Sequence, residues 1–88
     1  MDNKLINIGY GNYINLSKLI AIISPESAPI KRMIKENRGS LELIDATFGR
    51  KTRSVLVMEN KQVVLSALQP ETINGKIKNK KNQEEANA

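Results

Sequence analysis

At 88 residues the chain is one domain, and a domain of that size buries a modest share of its surface, so a partner subunit would relieve a shortage of core. It has no cysteine, which excludes disulfides and thiolate metal sites, and its longest apolar run, Leu19 to Ile23, has five residues against the roughly 20 that a bilayer span requires. With 14 Lys and Arg against 9 Asp and Glu the net charge is +5 and the pI near 9.7; this balance suits nucleic acid or an anionic surface, although many soluble proteins that bind neither share it.

Met1-Asp2-Asn3-Lys4 lacks the charged and apolar regions of a secretory leader, so a cytoplasmic protein is the expectation. Leu5 to Ile8 reads as a short strand that ends in Gly9-Tyr10-Gly11-Asn12. The two glycines could open a dinucleotide loop, but the third glycine is missing and a strand around Tyr13-Ile14 follows, so a hairpin turn is the better reading. Lys18 to Ser24 is a mostly buried strand, broken by Ser24-Pro25.

One helix follows. Ser27 is placed to cap its free backbone N–H groups, Pro29 is tolerated in a first turn that needs no donor, and Gly39 is its stop. Ile30, Met33 and Ile34 form one apolar stripe for packing. Lys31, Arg32, Lys35 and Arg38 lie on other faces, where a solvated surface explains the first three better than a DNA contact and the helix dipole accounts for Lys35 and Arg38.

Three further strands are expected, Leu41 to Ala46, Arg53 to Met58 and Gln62 to Ala67, the last two joined tightly through Glu59-Asn60-Lys61 as an antiparallel hairpin. Val55-Leu56-Val57-Met58 is apolar on both faces, which calls for the helix on one side and another cover, such as a neighbouring subunit, on the other. Leu68 to Asn74 reads as a closing turn. The expected fold is therefore α+β, a small mostly antiparallel sheet with one packed helix, in a single domain over residues 1–75, assembling as a homo-oligomer. Residues 76–88, with four Lys and two Glu, read as a disordered basic tail.

The sharpest local feature is Phe48-Gly49-Arg50-Lys51-Thr52-Arg53, with three cations in four positions between two strands. A phosphate site needs such a device: long cations on a loop held by strands, a glycine for close approach, and a hydroxyl donor in Thr52. The alternative is a turn whose charges keep the sheet edge soluble. Catalysis has less to work with, because the chain holds neither His nor Cys. Asp45 stands in an apolar stretch without a carboxylate partner, so a hydrogen bond to a turn or an ion pair with Arg explains it better than acid–base chemistry. The carboxylates show no metal-ligand spacing, and no cofactor, enzyme activity or small-molecule substrate is expected. With only Tyr10, Tyr13 and Phe48 as aromatics, duplex DNA held by its phosphates is favoured over single strands.

Four stretches, Ile6 to Asn12, Ser24 to Arg32, Leu43 to Arg50 and Val63 to Thr72, resemble the RemA family of extracellular-matrix regulators of Gram-positive bacteria, and the likeness covers nearly all of residues 4–73. The resemblance implies a cytoplasmic DNA-binding activator of biofilm-matrix genes that acts as a ring-shaped oligomer with DNA around its rim. It places the family's basic pair on Arg50 and Lys51 and a further basic position on Lys18; at Lys51 and Lys18 the family usually has Arg, so charge is kept and the bidentate fork is not. Pro29 matches a position that reads as structural. With Arg53 from the same loop, the candidate DNA contacts are Lys18, Arg50, Lys51 and Arg53. The other function class is a protein-interaction adaptor whose basic surface meets an acidic partner.

Overall fold

The computed structural model describes residues 4–86, with side chains as far as Lys80. Met1–Asn3, on which the reading of the N-terminus rests, and Asn87–Ala88 at the end of the tail lie outside the described residues. Strands β1 (Leu5–Asn7) and β2 (Tyr13–Asn15) form a two-stranded antiparallel hairpin, with Ile6 opposite Ile14. A 3-10 turn over Leu16–Lys18, capped by the Asn15 side chain, leads into β3 (Leu19–Ile23). Helix α1 (Ala28–Glu36) starts where the capping pattern puts it: Ser27 Oγ accepts from the Ile30 N–H at 3.4 Å and Pro29 sits in the first turn. Asn37 closes it by donating its side-chain amide to the Met33 carbonyl at 2.7 Å, and Gly39 turns the chain away at φ +86°.

Strands β4 (Leu43–Asp45), β5 (Ser54–Met58) and β6 (Val63–Ser66) join β3 in a four-stranded sheet of order β3-β5-β6-β4. The β5–β6 hairpin is antiparallel and closes through Glu59-Asn60-Lys61, with Lys61 at φ 69°. The sheet is mixed rather than mostly antiparallel, because β4 pairs parallel to β6. β4 is shorter than the Leu41 to Ala46 span: Leu41 and Glu42 form a turn, and Ala46 has already left the strand.

The second correction is a second helix. Leu68 to Asn74 is not a closing turn but the approach to and start of α2 (Pro70–Ala86), and the stretch after Gly75 that composition marks as disordered continues as helix through Ala86. Gly75 costs about 1 kcal/mol inside a helix, but the Lys, Gln, Glu and Ala around it are good helix formers. Ile73 and Ile77, one turn apart, hold the first half of the helix on the core.

Both faces of the sheet are covered within one chain. On one face, Ile34 of α1 packs with Val55 and Leu65, flanked by Ile30 and Met33. On the other, Ile6, Ile8 and Ile14 from the hairpin and Ile73 from α2 close over Leu56, Met58 and Val64. The two-sided strand Val55–Met58 is thus explained by the hairpin and α2, so the expected cover from a neighbouring subunit is not required here. Two fully buried serines, paired across β5 and β6, fasten these pieces. Ser66 Oγ donates to the Ile8 carbonyl at 2.8 Å and accepts from the Leu68 N–H at 3.1 Å, and Ser54 Oγ donates to the Leu68 carbonyl at 2.6 Å. Each partner removes the penalty of a buried, unsatisfied hydroxyl.

Candidate nucleic-acid interface

The basic segment begins in a tight turn. Arg50 N–H donates to the Thr47 carbonyl at 3.0 Å, and both central residues have positive φ, Phe48 at 54° and Gly49 at 75°. This is the I′ geometry, in which glycine is at ease and a bulky residue is not. A Cβ at Gly49 would meet nothing within 4 Å, so its φ, and not crowding, makes glycine the favoured residue there.

Asp45 anchors the turn from below. One carboxylate oxygen accepts from the buried Thr47, from its hydroxyl at 2.6 Å and its N–H at 3.0 Å, and the other accepts from Arg38 Nη1 at 3.1 Å. The Thr47 hydrogen bonds above all, with Arg38 adding a smaller share, hold this carboxyl below its usual range against the opposing effect of burial. Asp45 therefore makes both contacts that its sequence setting suggests: the turn bond and the Arg pair.

A second turn of the same construction lies beside the first. Asn12 N–H donates to the Gly9 carbonyl at 3.1 Å, with Tyr10 at φ 55° and Gly11 at 78°. The two aromatic–glycine turns are laced together by the Asn12 side-chain amide, which donates to the Gly9 carbonyl at 3.1 Å and to the Ala46 carbonyl at 3.3 Å. Their rings stack, Tyr10 on Phe48, with centroids 5.7 Å apart and planes 14° from parallel. The guanidinium carbon of Arg50 sits 5.5 Å from the Tyr10 centroid, a cation–π contact that directs the side chain. Reading the chain in order makes Gly9–Asn12 a plain hairpin turn and misses Tyr10. The available signal was the repeated aromatic-glycine pair, Tyr10-Gly11 and Phe48-Gly49.

Arg50, Lys51 and Arg53 are all exposed. The ion pairs Lys18–Glu59 and Arg38–Asp45 leave them aside, and among the described residues no carboxylate neutralises them. Arg53 is pinned by its backbone, whose N–H donates to the Ser66 carbonyl at 2.8 Å. Lys51 and Thr52 line a depression of about 210 Å³ with Pro25, Glu26, Lys31 and Ile34. Lys31 of α1, a plain solvated cation by sequence, is thereby brought beside the loop.

Lys18 is not part of this cluster. Its carbonyl accepts from the Glu59 N–H at 2.7 Å and its ammonium lies 3.7 Å from the Glu59 carboxylate. Arg53 and Glu59 bracket β5, and at ~3.4 Å per residue they stand roughly 20 Å apart. Within one chain, then, the structure gathers Arg50, Lys51 and Arg53 at one end of the sheet and leaves Lys18 at the other.

Among the described residues no helix is long and apolar enough to cross a membrane, and no three acidic side chains gather into a group that could hold a metal ion. The chain is similar to a protein of Carboxydothermus hydrogenoformans named "Putative regulatory protein", at 54% identity over 97% of this chain and 98% of that one. Similarly named proteins of Acaryochloris marina and Clostridium acetobutylicum are 60% and 59% identical, covering 83% of this chain and 83% and 79% of their own. A family model described as extracellular matrix regulatory protein A-like matches residues 5–77, which include both aromatic turns, the basic loop and the packed half of α2. The chain is a regulatory protein of the RemA-like family.

Proposed function

We propose that this regulator binds duplex DNA through its phosphate backbone and acts as a transcriptional activator of biofilm-matrix genes, as a cytoplasmic ring-shaped homo-oligomer. The observation that carries the reading is the trio Arg50, Lys51 and Arg53, unpaired with any carboxylate among the described residues and leaving a turn that Asp45, Thr47 and the Tyr10 stack make rigid. A cation already directed, as Arg50 is by Tyr10, loses little freedom on meeting phosphates, and Arg presents a planar donor fork to them. Lys18, at the far end of the sheet, is a further phosphate contact in this reading, engaged when a duplex runs past more than one subunit.

The sheet edges support assembly. Among the described residues no strand pairs with the outer side of β3 or of β4. Beside β3, Ile20 is 65% exposed next to a groove of about 580 Å³ shared with α2, and beside β4, Ile44 is 42% exposed at a cavity of about 340 Å³ under the hairpin. Two unlike apolar edges on opposite sides of one sheet suit head-to-tail association, which generates a ring when the rotation closes.

Titration of a labelled duplex at two salt concentrations tests the reading. The parent protein binds with steep salt weakening, and Arg50→Ala with Lys51→Ala weakens all duplex sequences alike while lowering the log–log salt slope by about 1 to 2 per subunit engaged. A double variant that is folded, keeps the parent mass by light scattering and binds as tightly as the parent overturns the loop assignment. No binding by the parent at low salt points instead to the adaptor function.

A further inference from the structure

Phe48 occupies a place that fold stability alone does not favour. Its φ of 54° lies in the left-handed region, where a bulky residue costs on the order of 1 kcal/mol and Asn or Gly far less. Tyr10 carries the same strain at φ 55°. Neither ring is held there by a place in the core, since Phe48 is 77% exposed and Tyr10 50% exposed. The stack between them contributes roughly 0.5–1.5 kcal/mol, no more than part of the strain of two aromatic residues. Strain kept in an exposed aromatic at the tip of a rigid turn is a feature of contact surfaces.

The surroundings specify what is contacted. Phe48 lies two residues from Arg50 and three from Lys51, neither of which pairs with a carboxylate among the described residues. An apolar ring flanked by unneutralised cations matches the minor groove of a duplex, which presents sugars and base edges at its floor and phosphates on both rims. A surface of carboxylates alone would satisfy the cations and leave the ring in water. The turn geometry keeps the ring projecting, Tyr10 backs it, and the same Tyr10 ring directs Arg50.

We infer that Phe48 is an apolar wedge that enters the minor groove and leans against a base step, so that the protein kinks the duplex it binds, with Arg50 and Lys51 on the adjacent phosphates. This rests on the DNA-binding reading above and adds to it an indirect readout: flexible pyrimidine–purine steps open for the wedge at lower cost than stiff ones, giving sequence preference without hydrogen bonds to bases. Tyr10 is a positioning residue for both the wedge and Arg50.

Short duplexes labelled at both ends, differing only in a central TA or GC step, test the wedge by energy transfer for bending and anisotropy for affinity. The parent shortens the end-to-end distance and prefers the TA step. Phe48→Ala loses most of the bend and of the step preference, with an affinity loss of about tenfold, while its salt slope stays at the parent value because no phosphate contact is gone. Phe48→Leu, still a wedge, keeps the bend, and Arg50→Ala lowers the salt slope. A Phe48→Ala protein that binds, bends and discriminates as the parent does overturns the wedge and leaves the phosphate reading standing. So does an affinity loss that coincides with a lower mass by light scattering, which would make Phe48 a subunit contact. A parent that does not bind duplex at all overturns both readings.

Discussion

Arg50, Lys51 and Arg53 leave a turn fixed at every level, by its own I′ hydrogen bond, by Asp45 beneath it and by a stacked ring beside it. Lys76, Lys78 and Lys80 sit on the middle of α2, where Ile73 and Ile77 bind the helix root to the core and the sequence from Lys78 to Glu85 contains no apolar residue. The charge is similar in the two places. In the turn, tertiary contacts direct the Arg50 side chain and fix the backbone of Arg53 before any ligand arrives; on the helix, intrinsic propensity holds the backbone and the cations are spread around a cylinder. Lys76 is the exception, its ammonium donating to the Asn7 carbonyl at 3.1 Å and so tied to the hairpin. A comparison of net charge alone would rank the two regions as equals. Their capacity to present charge in a defined geometry differs.

The largest expected effect breaks the helix and spares the turn. Ile73 is fully buried at the root of α2, and Ile73→Ala costs about 2–5 kcal/mol through lost burial and the cavity left behind. In urea denaturation the variant's midpoint falls accordingly. Well below that midpoint, amide exchange accelerates along α2, while the amide shifts of Phe48 to Arg50 stay near their parent positions.

A smaller effect loosens the turn and spares the helix. Asp45→Asn removes the charge that orders Thr47 and pairs with Arg38, at a cost of about 1 kcal/mol near neutral pH. The carboxyl titrates lower in the folded chain than in the unfolded one, so the stability it contributes is fully present above the ordinary carboxylate pKa and is lost as pH falls through the folded value. Stability curves of parent and variant therefore converge in acid. Curves that stay parallel down to pH ~2 would mean that the carboxylate charge is not what holds the turn.

The smallest effect is reserved for the outer helix. A chain ending at Lys78 keeps Ile73, Ile77 and the Lys76 bond, so its thermal midpoint stays within a few degrees of the parent, and its duplex affinity within about threefold. A larger loss of affinity with unchanged stability would move the principal DNA contact from the turn to the helix.

Local signals carried a good part of the architecture. The β-branched run from Leu5 to Ile8, the strand read over Gln62 to Ala67, the Ser27 cap, Pro29 in the first turn, and the three-residue Glu59-Asn60-Lys61 connection are each set within a few residues, and those elements stand within a residue of where their patterns put them. The basic loop was equally legible, as was the pairing available to Asp45. Composition misled after Gly75, because it registers the lack of apolar residues and not the helix propensity of those present.

Which short segments form strands, turns and the capped helix, and which loop carries the charge, could be read from the residues alone, because these depend on contacts between near neighbours in the chain. It took the packed chain to set β4 parallel to β6, to cover the second face of the sheet with the hairpin and α2 rather than another subunit, to part Lys18 from the other cations, and to bring Tyr10 against Phe48 and Arg50. Each of these joins residues far apart in sequence, and such pairings are chosen by the free energy of the whole packed chain, to which no single segment holds the key.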